Sequence, residues 1–116
     1  MTRPAVLAAT ATLVFASSAL ALGGSVYARI SADWGTHGVV KVTVLSNHSF
    51  NGTVNTTCGT AVNQTQPLSN WTDDAVSHQN RVDMQFDISA AGSGASCTIT
   101  VMDGHKLLAQ QQFVSV

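Results

Sequence analysis

Phe50-Asn51-Gly52-Thr53-Val54-Asn55-Thr56-Thr57-Cys58 is the stretch on which the fold turns. Its even positions are mostly apolar or small and its odd positions are Asn or Thr. A period of two is the mark of an extended strand with one buried and one wet face. The same period recurs elsewhere. Val40, Val42 and Val44 interleave with Lys41 and Thr43; Val82, Met84, Phe86 and Ile88 with Asp83, Gln85 and Asp87; Cys97, Ile99 and Val101 with Thr98 and Thr100. Turn-forming clusters lie between these runs: Ser46-Asn47-His48-Ser49, Ala90-Ala91-Gly92-Ser93-Gly94, and the hairpin dipeptide Asp103-Gly104. A last strand is expected from Lys106 to Ser115, and a short edge strand from Ala61 to Gln66, stopped by Pro67.

An all-β domain of seven strands follows, over 25–32, 38–46, 49–58, 61–66, 81–89, 96–102 and 106–115. Strands this short and this regularly spaced point to an immunoglobulin-like antiparallel sandwich, with a small Greek-key barrel as the rival. In the sandwich topology the third and sixth strands are antiparallel neighbours in one sheet. Cys58 ends the third and Cys97 begins the sixth, both in the apolar phase. An intrachain Cys58–Cys97 disulfide is therefore predicted, since cross-strand neighbours lie within bridging distance. Antibody domains differ, bridging the second and sixth strands across the core.

Ahead of the domain, Met1-Thr2-Arg3-Pro4 leads into an uncharged apolar run from Ala5 to Leu22, the order of a secretory signal. Ala19-Leu20-Ala21 and Val26-Tyr27-Ala28 are both small-residue cleavage sites. Residues 1–21 are assigned to a signal helix and 22–116 to one domain. Cleavage after Ala28 is the alternative, favoured by Gly23-Gly24 just ahead but costly to the first strand. An uncleaved anchor is the other reading, because the run just reaches the length of a membrane span. No Cys lies near either site, which disfavours a lipoprotein. A domain this small has a marginal core, and export to an oxidising compartment makes a disulfide a common supplement. Closing 39 residues of chain should stabilise by about 3 to 4 kcal/mol. The expected location is secreted, extracellular or cell-surface, or periplasmic in a Gram-negative host.

Charge is sparse: five Lys plus Arg and six acids in 116 residues, every acid an Asp. Such a chain has no electrostatic footprint for nucleic acid. The lack of Glu removes Glu-based general acids, EF-hand loops and Glu-dependent zinc hydrolase motifs. Neither a Gly-x-Ser-x-Gly elbow nor a phosphate-cradling glycine loop occurs. Asp83 and Asp87 would stand about 13 Å apart along one strand face, too far for paired carboxylate chemistry. His37, His48, His78 and His105 are scattered, and neither Asp103-Gly104-His105 nor Asp73-Asp74 with His78 has a spacing that imposes a coordination geometry. No catalytic residue, metal site or cofactor is expected.

Asparagine usage is unusual. Five of the six, Asn47, Asn51, Asn55, Asn63 and Asn70, head Asn-x-Ser/Thr sequons and are candidate N-glycosylation sites. The competing reading is a polar strand surface in a host that never glycosylates it. One connection is long, Pro67 to Asn80, and holds Trp71, Asp73, Asp74 and His78, which makes it the candidate partner contact. Asn70 or Thr72 is placed to cap one helical turn there. Trp71 and Trp34, both outside the expected strands, suit either a flat contact platform or an anchor that covers a sandwich end.

The expectation is a secreted or surface module that acts by binding a protein or carbohydrate partner, not nucleic acid. A membrane would be a partner only if the N-terminal helix is retained, as in a pilin-like fibre subunit. An exported metal-binding protein is a third reading.

Overall fold

The computed structural model describes residues 25–116; the expected signal helix and the cleavage site after Ala21 lie outside them. Eight strands run in chain order: β1 Ala28–Asp33, β2 Val39–Ser46, β3 Thr53–Cys58, β4 Val62–Pro67, β5 Thr72–Asp74, β6 Gln79–Asp87, β7 Ser96–Asp103 and β8 Lys106–Val114. They form two four-stranded antiparallel sheets, ordered β1-β2-β6-β5 and β4-β3-β7-β8. Apolar side chains of both inner faces meet in one core around Val42, Val44, Val54, Phe86, Ile99 and Val101. This is a two-layer sandwich, not a single closed barrel. Alternation is the cause: in β2, β6 and β3 the even positions, mostly apolar, turn inward, and in β7 the odd positions Cys97, Ile99 and Val101 do the same.

Cys58 and Cys97 are directly opposite in the β3–β7 ladder and are bonded to each other, with Cα atoms 4.2 Å apart. The bridge thus lies inside one sheet, and both half-cystines are buried. A disulfide is consistent with an oxidising compartment.

Three expectations need correction. The third strand starts at Thr53 and not at 49, because its partners run out: β7 turns at Asp103, and Pro67 has no N–H with which to extend β4. Gly52 sits at this boundary under the Met102 carbonyl and the Phe50 ring, where any Cβ would collide. Second, the long connection from Pro67 to Asn80 is not a loop. Leu68 is buried, its N–H donating to Gly52 O at 2.8 Å, and β5 then pairs with the start of β6. Eight strands therefore replace seven. Third, no helical turn forms at Asn70 or Thr72. Asn70 is left-handed (φ 59°), a conformation Asn tolerates, and Thr72 is already in strand. The one helical turn among the described residues is a single 3-10 turn at Ser89–Ala91.

Candidate functional site

Trp71 lies at one end of the sandwich, between the buried crossover and β5. It is half-buried and packs against the core. Its indole N–H donates to Phe50 O at 3.0 Å, and the two rings are tilted with centroids 5.2 Å apart. Trp34 does the equivalent at the other end, stacked on Phe113 at 5.1 Å. Each indole covers an end of the core.

The other three residues of the expected contact are dispersed. Asp74 points outward from the first sheet and is fully engaged. Its side chain accepts from Ser77 N–H at 2.8 Å and from Arg81 at 2.9 Å. Ser77 above all, and then Arg81, lower the pKa of its carboxyl to about 2. Arg81 also contacts Asp83 at 3.0 Å, and Asp83 accepts from the Thr43 hydroxyl. These bonds from Arg81 and then Thr43 lower Asp83 as well. His78 is an exposed turn residue with φ 59°, its N–H donating to Asp74 O. Asp73 is exposed at the edge of β5. The structure brings together a hairpin braced by Asp74, not a convergent pocket of four side chains. A turn-opening Asp followed by Ser77 was the available signal for that hairpin.

The five sequon asparagines divide in two. Asn47 extends the β1–β2 ladder past its last pair: its side-chain carbonyl accepts from Tyr27 N–H at 2.9 Å, and its amide donates to Ser25 O at 2.8 Å. Asn51 and Asn70 are exposed near the same end. Asn55 and Asn63 stand across the β3–β4 ladder on the outer face of the second sheet. The Asn55 amide donates to Asn63 Oδ1 and Thr65 Oγ1, both at 2.9 Å, and to Gln64 O at 3.2 Å.

That outer face has a property single-strand reading does not reveal. Register places Asn63, Thr57, Thr98 and Gln112 in one row across four strands, and Thr65, Asn55, Thr100 and Gln110 in the next. Pro67, Thr53, Met102 and Leu107 close it at the Trp71 end. No Asp, Lys, Arg or His occurs in these rows. Spacing is about 4.8 Å between strands and about 6.8 Å along them. Gln110 donates to Thr100, so hydroxyls and amides are partly tied to one another and held in place.

Among the described residues no group of three or more His, Cys, Asp or Glu gathers as a metal site. His37 instead meets Val116 O through Nδ1 at 2.7 Å. No protein family, no curated protein and no solved structure matches the chain.

Proposed function

We propose that the chain is a small exported β-sandwich module, secreted or held at the cell surface, that acts by binding, and that its partner is a neutral, hydroxyl-rich glycan laid along the outer face of the second sheet. The observation that carries this is the uncharged grid of Thr, Asn and Gln on that face. A glycan presents alternating donors and acceptors without charge. A surface offering both, partly fixed by internal hydrogen bonds, binds it with a reduced ordering cost. An immunoglobulin-like topology is part of the proposal. Lettering the strands A, B, C, C′, D, E, F and G in chain order gives A-B-E-D facing C′-C-F-G, which supports that assignment.

Co-sedimentation with insoluble neutral polysaccharides tests the proposal. Binding should persist at high salt, because no ion pairs are involved, and should be lost in Thr57→Lys and Thr100→Lys. Binding indifferent to those two substitutions but lost in His78→Ala would move the contact to the β5–β6 hairpin and reject the face. Export rests on the Ala5–Leu22 run, which equally suits the anchored subunit. The N-terminal residue of the mature protein separates the two: Leu22 or Arg29 for the free module, a retained apolar run for the fibre subunit.

A further inference from the structure

Each sheet of a sandwich ends in edge strands whose outward N–H and C=O groups invite another strand, and folded proteins guard such edges with charge, Pro or cover. Three of the four edges here are guarded. β5 is three residues long and carries Asp73 and Asp74. Where β6 runs on beyond it, amides from β4 cross over: Gln66 donates to Gln85 O at 2.7 Å and Gln64 to Asp87 O at 2.8 Å. β4 itself ends in Pro67, and β1 carries Arg29 and Asp33.

β8 is the exception. It is nine residues long, with no Pro and with Lys106 at its extreme start as its one charge. The register slip against β7 falls near Leu108, so Ala109–Val114 is a regular stretch. No backbone hydrogen bond from another strand reaches its outer side among the described residues. Leu107, Val114 and Val116, three exposed large apolar side chains, flank it.

We propose that this edge pairs antiparallel with the β8 edge of a second copy of the chain, on a two-fold axis through Gln111. In that register Gln110 faces Gln112 of the other copy, both on the outer face, and Ala109 faces Phe113, both on the inner face. No like charges meet, since each Lys106 falls beside Val116 of its counterpart. β1 lies beside β8, with Trp34 stacked on Phe113. It carries Arg29 near its start and Asp33 at its end, so the same axis sets unlike and not like charges of the two copies at each end of the seam. Opposed residues of antiparallel strands share a face, so the two uncharged faces join into one of eight strands. The pairing goes beyond the glycan proposal and stands whether or not any glycan binds.

Sedimentation velocity of the full chain over a concentration series is the test, with two double variants at exposed positions. Gln110→Lys with Gln112→Lys sets Lys against Lys twice across the axis and should weaken the dimer about tenfold. Gln110→Lys with Gln112→Asp sets Lys against Asp twice and should keep it at least as tight as wild type. Hydrogen exchange of the 109–114 amides in wild type should slow as concentration rises. A monomeric wild type, a dimer indifferent to the lysine pair, equal behaviour of the two double variants, or unchanged exchange would each overturn the proposal.

Discussion

The two outer faces of this sandwich are built from strands of similar length and the same alternation, yet their chemistry differs. On the first sheet Asp74, Arg81, Asp83 and Thr43 form a continuous charged chain, with Arg29, Asp33, Lys41 and Asp87 nearby on the same sheet. The remaining charged side chains among the described residues are Asp73 on the edge strand β5 of the first sheet, and Asp103 and Lys106, opposite each other at the β7–β8 hairpin. On the second sheet the rows are Thr, Asn and Gln. Surface ion pairs add little stability because water solvates the separated charges nearly as well. The first face therefore contributes pH response, and the second is left uncharged in its strand rows. Stability should rest on the core, the end-covering aromatics and the disulfide.

Removing that disulfide should have the largest effect. Cys58→Ala with Cys97→Ala should lower unfolding free energy by about 3 to 4 kcal/mol in denaturant titration, the loop-closure value for this separation. A much smaller loss would mean that the β3–β7 ladder already restrains the unfolded chain. Next comes Trp71→Ala, expected to cost about 2 to 3 kcal/mol, below the range of a fully buried aromatic because the indole is half-exposed. Polysaccharide co-sedimentation should be unchanged in that variant. Near-zero cost with lost binding would restore Trp71 as the contact.

Thr56 lies on the inner face of the second sheet, fully buried, with a hydroxyl that has no hydrogen-bond partner. Thr56→Val should raise stability by about 1 kcal/mol in the same titration, because it removes an unpaid desolvation at nearly constant shape. A loss instead would place a water or a partner on that hydroxyl.

The smallest effect belongs to the charged face. Asp74, held at about 2 by Ser77 and Arg81, and Asp83 and Asp87, also lowered, ionise more readily folded than unfolded. Their contribution is present above the ordinary carboxylate range near pH 4 and is lost as pH falls toward 2. Thermal melts from pH 5 down to 2 should show this decline, and Asp74→Asn should flatten part of it. An equally steep decline in that variant would assign the acid sensitivity elsewhere.

Much of the fold was legible because alternation is local. A half-buried strand declares its buried phase residue by residue, and Cys58 and Cys97 in matching phase predicted the β3–β7 pairing. The ends of strands were not legible, since a strand stops where its partner does, and partners are not neighbours in sequence. So 49–52 read as strand although β7 and β4 end opposite Thr53, and 72–74 read as loop although β6 was waiting to pair with it. The placement of the candidate contact was not legible for the same reason: Trp71, Asp73, Asp74 and His78 are close in sequence, but Trp71 packs against the core ahead of β5 while Asp74 turns outward to Arg81.

Composition and period alone determined an all-β chain with sparse charge, a disulfide and a signal-like start, because each of these is carried by residue identity and spacing. Only the tertiary structure decided which sheet each strand joins. That assignment gathered most of the charges on the first sheet and rows of amides and hydroxyls on the second, and left β8 as the long edge without Pro or internal charge. Cross-strand register, set by packing between distant segments, turns scattered polar positions into a surface.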